Sequence, residues 1–244
     1  MENILIYLLG ASVAVQVVYA LYYFLPFAFH KPKTSTSVKP VSVIVCAHNE
    51  VHNVQKLLPA LLEQNYPEYE LVLIDDRSWD GTGRYFEEVK HDFPETKLVK
   101  IKDTPQGMSP KKYALTLGIK SAKHEHLLFI DADCVPVSAN WIHDVQSAYV
   151  AETEIVLGYS PYKENKGFLN QLIRFETLLT GIQYLSFAVR GQAYMGVGRN
   201  LSYTKSCFFN NKGFASHIKT ISGDDDLFIK EAASGKNVNI VTAK

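Results

Sequence analysis

Three short, largely apolar runs, Val41 to Cys46, Tyr69 to Ile74 and Leu127 to Ile130, each break off into a cluster of polar and acidic residues. The runs are too short for helices and carry no helical period, so they read as buried strands. Their ends are His48-Asn49-Glu50, Asp75-Asp76-Arg77-Ser78 and Asp131-Ala132-Asp133. Between them lie stretches with helical character: Leu57, Leu58, Leu61 and Leu62 ahead of Asn65-Tyr66-Pro67, a polar stretch after Asp80-Gly81-Thr82, and Lys111 to Ser121. With Lys97 to Ile101 as a further strand, strands alternate with helices, a pattern that joins parallel strands by crossovers and covers both faces of the sheet. The expected fold class is α/β with a mostly parallel central sheet. Ligands of such sheets bind beyond the carboxyl ends of the strands, so the three polar clusters should converge on one crevice.

The second half is less regular. Ile155 to Ser160 reads as a strand, Phe168 to Val189 as a long apolar-rich helix interrupted at Gly181, and Tyr194 to Tyr203 as a tight backbone passage around Gly196, Gly198 and Asn200. Ser222-Gly223-Asp224-Asp225-Asp226 reads as an acidic helix start, and Val238 to Val241 as a strand. The apolar content of Phe168 to Val189 fits a helix buried under the site and a helix at a membrane surface equally well.

Ile4 to Phe29 contains no charged residue. At about 1.5 Å per residue this run exceeds the roughly 20 residues needed to cross a bilayer. A signal peptide would carry a basic leader, whereas Glu2 is the only charge ahead of the run. Lys31, Lys33 and Lys39 follow it, which places the remainder on the cytoplasmic side, as at a bacterial inner membrane. The expected organisation is a transmembrane helix over 1–30, a linker over 31–40 and one globular domain over 41–244. Basic and acidic residues balance at 25 each, so no nucleic-acid partner is expected. Cys46, Cys134 and Cys207 are odd in number and widely spaced, which argues against a disulfide framework or a zinc site.

Asp131-Ala132-Asp133 sets two carboxylates at a strand end, the oxygen ligation preferred by magnesium or manganese, although such pairs also cap helices or sit in solvated loops. Asp75-Asp76 could accept hydrogen bonds from a nucleotide base or ribose, or hold an Asx turn. Lys111, at a helix start, could neutralise a diphosphate or lie solvated on the surface. Asp224-Asp225-Asp226 could supply a general base or cap a helix.

Taken in order, these segments resemble the family 2 glycosyltransferases. Val41 to Glu50 is similar to the family's opening strand and nucleotide loop, Leu73 to Thr82 to its base-contacting acidic stretch, and Lys111-Lys112-Tyr113-Ala114-Leu115 with Gly118 to its lysine helix. Gly198 to Tyr203 resembles the acceptor-side segment and Gly223-Asp224-Asp225-Asp226-Leu227 the Glu-Asp-x-x-Leu segment that carries the base. The resemblance implies a GT-A fold and inverting transfer from a nucleotide-diphosphate sugar, expected to be a UDP-sugar, to a lipid-linked or saccharide acceptor. It implies nucleotide-sugar contacts at Cys46, Ala47, Asn49, Glu50, Asp75, Asp76, Lys111 and Asp131, and an Mn2+ or Mg2+ ion on Asp133. It further implies acceptor-side positions at Gly198 and Asn200 and a base at Asp224. Because Gly223 stands where the family has glutamate, Asp225 is an alternative base. A downstream Gln-x-x-Arg-Trp segment is missing, and the strand ending near Lys244 reads as a truncated C-terminal part. A nucleotidyltransferase is the competing enzyme class, but Cys46 to Glu50 holds none of its loop glycines. The other alternative is a degenerate, non-catalytic nucleotide-sugar-binding module at the membrane.

Overall fold

Alternation along the first strand sets the layers of the molecule. In β1 (Val41–Ala47), Val41, Val43, Val45 and Ala47 join one apolar cluster while Ile44 and Cys46 face the other. A strand apolar on both sides must be covered on both sides. The computed structural model describes residues 2–242; Met1, Ala243 and Lys244, which end the ranges expected for the N-terminal helix and the domain, lie outside the described residues.

The other strands are β2 (Tyr69–Asp76), β3 (Lys97–Ile101), β4 (His126–Asp131), β5 (Ile155–Gly158), β6 (Leu201–Thr204) and β7 (Val238–Val241). They form one sheet in the order β3-β2-β1-β4-β6-β5-β7. Pairing is parallel except where β6 runs antiparallel to β4 and β5. In register, Cys46 pairs with Ile74 on one side and Asp131 on the other, which brings three strand ends to one level. The fold is thus the α/β, mostly parallel arrangement expected from the alternation, in keeping with the GT-A fold that the resemblance implies.

The helices are α1 (Glu2–Tyr19), α2 (Leu25–Ala28), α3 (Val51–Leu62), α4 (Thr82–Asp92), α5 (Pro110–Ser121), α6 (Trp141–Ser147), α7 (Phe168–Val189), α8 (Lys205–Asn210) and α9 (Asp226–Ala232). Leu57, Leu58 and Leu61 of α3, Phe86 of α4 and Ile142 of α6 cover one face of the sheet. Ala114 of α5, Tyr184 of α7, Phe208 of α8 and Phe228 of α9 cover the other.

A turn of π-helix (Ala20–Phe24) joins α1 to α2. Pro26 follows closely, and its ring and missing N–H disturb the preceding turn, where such widening relieves the clash. The stretch Ile4–Ala28 is long and apolar enough to cross a membrane; its most apolar window has no buried residue, while its last turns meet α7. Residues 30–40 carry no regular secondary structure but are pinned: Ser35 N–H donates to the Ser147 carbonyl (2.6 Å), Lys39 N–H to the Tyr66 hydroxyl (3.1 Å), and Asn239 Nδ2 to the Lys33 carbonyl (3.2 Å).

Three elements escape the sequence pattern. α6 and α8 span only 7 and 6 residues, too few for a period to show. β6 hides at the end of the glycine-rich passage. One expectation is overturned: Gly181 does not interrupt α7, which runs unbroken for 22 residues. Its hydrogen atom instead admits the Tyr159 ring, which a Cβ there would meet at 2.6 Å. Gly181→Ala would gain about 1 kcal/mol of helix propensity and lose ~1–3 kcal/mol to overpacking. Denaturant unfolding should therefore show net destabilisation, by roughly 1 kcal/mol.

Candidate active site

The cleft lies where β1 and β4 end and α5 begins. Pro110 opens α5, its fixed φ suiting the first turn, and this sends Lys111 across the ends of the strands. Lys111 Nζ sits 2.9 Å from Asp224 Oδ2 and 3.5 Å from Asp131 Oδ1. Cys46, Lys111, Asp131, Gly198, Asp224 and Asp225 line the cleft over an apolar floor that includes Ile44, Leu115 and Phe129.

The acidic segment arrives from the far end of the sequence. Gly223 has φ +85°, a conformation glycine adopts at no steric cost, and α9 starts directly after. Asp225 caps that helix: Oδ1 accepts from Asp226 N–H (2.8 Å) and Oδ2 from Gly198 N–H (2.8 Å). Asp225 thus ties the 3-10 turn Gly198–Asn200 to α9, leaving Asp224 to face Lys111 with its side chain only 11% exposed.

The electrostatics follow from crowding. Burial alone would lower the Lys111 ammonium, but Asp131, Asp224 and Asp225 together outweigh it and hold the group above its usual range. Burial raises the Asp131 carboxyl; Asp133, Asp224 and Asp225 add to the rise and Lys111 opposes it. Burial, with Asp76 next in weight, pushes the Cys46 thiol up to about 12, so it lines the cleft as a neutral group. Asp133 is exposed on the rim, beside Cys134, whose thiol lies 3.5 Å from Asp133 Oδ1. Among the described residues, no three His, Cys, Asp or Glu side chains gather into a ready metal cage. The excess of carboxylate oxygen over the charge of Lys111 nevertheless fits a hard divalent cation, whose other ligands are ordinarily waters and substrate phosphates.

Several expected site residues are occupied in shaping loops. Asp75 is buried and accepts from Ser78 N–H (3.0 Å), and Asp76 forms a two-point pair with Arg77 at 2.8 and 3.1 Å. Asn49, at φ +58°, accepts from Trp79 N–H (2.9 Å). Glu50 precedes α3 and accepts from Asn53 Nδ2 (2.7 Å). The Asn49 bond joins the loops after β1 and β2, and the others shape each loop from within. Ala47 turns into the opposite apolar cluster. The Asn200 amide is committed at both ends, donating to the Tyr159 carbonyl (2.9 Å) and accepting from Trp141 Nε1 (3.1 Å).

Lys112 is the residue that sequence reasoning passed over. It is fully buried; its Nζ donates to the His217 carbonyl and lies 2.8 Å from His217 Nδ1. Ser109 adds an N–H bond to the Ile218 carbonyl (2.7 Å) and a hydroxyl bond to the Ile221 carbonyl (3.2 Å). The start of α5 thereby clamps the segment that leads into Asp224. The only signal was that adjacent helical residues point about 100° apart, so Lys111 and Lys112 cannot share the cleft.

Asp131→Asn removes a carboxylate whose ionisation opposes folding. Since the group's folded value is raised, the opposition is complete above that value and disappears below the ordinary value near ~3.9. The variant should melt ~2–3 °C higher than the parent at neutral pH, under about 1 kcal/mol after solvent screening. Thermal melts across pH should show the two proteins converging as pH falls through that window.

The model of the family described as glycosyl transferase family 2 matches residues 42–212. Poly-beta-1,6-N-acetyl-D-glucosamine synthase of Staphylococcus epidermidis is 31% identical over 202 residues, covering 80% of this chain and 40% of that protein. Glycosyltransferase AglE of Haloferax volcanii is 36% identical over 104 residues, 41% of this chain and 33% of that protein. The chain therefore spans 40% of the length of the first of these relatives and 33% of the second. Among solved structures, mannosyltransferase PcManGT from Pyrobaculum calidifontis, in complex with GDP-Man and Mn2+, matches with a TM-score of 0.73 at 18% identity, covering 99% of this chain and 68% of that one. S. aureus TarS 1-349 in complex with UDP-GlcNAc matches with a TM-score of 0.57 at 18% identity, covering 84% and 56%. At these identities the structural likeness speaks for the fold.

Proposed function

The chain belongs to glycosyl transferase family 2, and we propose that it is a membrane-anchored, metal-dependent, inverting transferase moving a sugar from a nucleotide diphosphate to an acceptor hydroxyl. That it is a glycosyltransferase follows from the family; the finer reading rests chiefly on one observation, the Lys111 ammonium held between Asp224 and Asp131 at the strand ends. In this reading residues 41–244 are the catalytic domain, 31–40 the linker and 1–30 the anchor, with the catalytic domain on the cytoplasmic side.

Lys111 neutralises the donor diphosphate, and Asp131 takes the ribose side. The loops held by Asn49, Glu50, Asp75 and Asp76 shape the seat of the base, with the Cys46 and Ala47 backbone beneath it. Asp133 would hold an Mn2+ or Mg2+ ion, which supplies further neutralisation of the leaving diphosphate. The complexes of the two structural neighbours, with GDP-Man and Mn2+ and with UDP-GlcNAc, support a donor of this class. A diphosphate is a stronger partner for an ammonium than one carboxylate is. Donor binding would draw Lys111 away and free Asp224 to take the proton of the acceptor hydroxyl as its oxygen attacks the anomeric carbon from the face opposite the diphosphate. Asp225, with both oxygens already accepting backbone N–H groups, is a positioning residue for Gly198. The acceptor, a saccharide or lipid-linked hydroxyl, enters on the side of Gly198 and Asn200.

Release of nucleoside diphosphate, assayed over a panel of nucleotide sugars with manganese, separates the two aspartates. Asp224→Asn should lower kcat by about 10²–10⁴-fold without loss of fold. Asp225→Asn keeps one acceptor oxygen and so can still cap α9, but it loses one of the two backbone hydrogen bonds, which should cost roughly 1 kcal/mol of stability while measurable turnover remains. Full activity in Asp224→Asn, with Asp225→Asn folded but inactive, would exchange their roles.

A further inference from the structure

We infer that the outer face of α7 lies along a lipid surface, giving the catalytic domain a second membrane contact beside its N-terminal helix. The inference rests on the anchor reading above and extends it to a part of the fold to which no role has been given.

Phe168, Leu172, Phe175 and Leu179 recur at intervals of four, three and four residues, which places them on one face of the helix. They are not core residues: Phe168 is 79% exposed and Phe175 63%, and Leu169 and Leu178 flank them at 68% and 46%. Contiguous apolar patches beyond a few hundred Å² are rare on soluble monomers and mark interaction sites. The inner side of the same stretch is accounted for. Thr177 and Thr180 line a small cavity of about 170 Å³ with Tyr159 and Tyr162, so the outer face is the one without a partner among the described residues.

What covers it follows from the far end of α7. Arg190, which caps α7, lies 18 residues beyond Leu172, about five turns on and so in line with the outer face, and Phe187 lies on the flank marked by Leu169. There the line is covered by the end of the N-terminal apolar helix: Tyr23 stacks on Phe187 at 4.0 Å, Tyr19 packs against the same ring, and Arg190 sits 4.1 Å over Tyr22. Tyrosines at the end of an apolar span occupy the headgroup level of a bilayer. The same contacts that join the two helices therefore hold the end of α7 at that level, and its bare apolar line continues from there. Charge agrees with this placement. Lys163 and Lys166 precede α7, Arg190 follows it, and Lys31 and Lys33 lie just after the anchor, an arrangement suited to anionic headgroups. Glu164 is paired with Arg174 at 3.2 Å.

The placement also bears on the site. Gly181 of α7 packs against Tyr159, and the Tyr159 carbonyl holds Asn200. A helix lying on lipid would thus set the acceptor side of the cleft close to the membrane.

The test uses the full chain reconstituted in phosphatidylcholine–phosphatidylglycerol vesicles. F175W and, as a second probe, F168W report the environment of the face, each read as the emission added to that of Trp79 and Trp141. K90W, on the opposite face of the sheet, is the control. Acyl-brominated lipid should remove most of the emission added by F175W or F168W and little of that added by K90W, and aqueous iodide should do the reverse. Iodide quenching of both α7 probes, with no effect of brominated lipid, would overturn the inference. So would shielding from both quenchers in a chain that cross-links as a dimer, since a second copy would then cover the face. Alkaline carbonate extraction separates the two failures. A chain stripped from vesicles refutes the anchor, whereas a chain that resists extraction with α7 open to iodide refutes only the lipid contact of α7.

Discussion

Among the described residues that line it, the cleft depends on one cation, Lys111. Asp131, Asp133, Asp224 and Asp225 gather at the ends of the sheet, and like charges this close repel unless something neutral or positive stands among them. Lys111 does so at 2.9 Å from Asp224 and 3.5 Å from Asp131. Its charge is retained despite burial because the carboxylates favour the ammonium more than burial disfavours it. The reverse compensation is incomplete: Asp131 remains pushed upward. A cleft with charge left over is costly for the fold and suited to a ligand that carries phosphate and brings a divalent cation with it. Conflicts of this kind between stability and local charge are expected at functional sites.

The rest of the architecture serves to hold that arrangement. Parallel register puts Cys46 level with Asp131, and the crossover helix α5 delivers Lys111 over both. The buried Lys112 then fixes the chain that leads to Asp224, through His217, so adjacent residues of one helix serve opposite ends of the same problem. Asp225 completes the frame by linking α9 to the Gly198 turn. From there Asn200, Tyr159 and Gly181 connect the Gly198 turn to α7 and, through Phe187 and Tyr23, to the N-terminal helix.

Much of this was legible in the order of residues. Buried parallel strands leave continuous apolar runs, so β1, β2 and β4 and their acidic ends could be read directly, as could β3, α7 and β7. Lys111 and Asp224 were legible through family resemblance, since nothing in their local spacing shows that segments more than a hundred residues apart meet. Other features are properties of three-dimensional packing alone. The reversal of β6 depends on pairing with β4 and β5, and no local pattern encodes strand direction. Asp75 and Asn49 show why turn and ligand roles are hard to separate in a sequence, since both use the same chemical types: the Asp75 side chain bonds to the backbone of its own loop and that of Asn49 to the backbone of the neighbouring one. Gly181 looked like a break because glycine weakens helices, whereas its use is to let Tyr159 approach.

The central claim is that Lys111 and the carboxylates around it form a seat for a nucleoside diphosphate. Isothermal titration of the full chain with UDP and with GDP, each with and without manganese, measures this without knowledge of the sugar or the acceptor. The account predicts saturable binding of at least one of the two that strengthens with manganese and weakens by ~10-fold or more in Lys111→Met, the loss of one charge-assisted contact. Equal binding by parent and Lys111→Met, or no binding of either nucleotide by a folded chain, would contradict it.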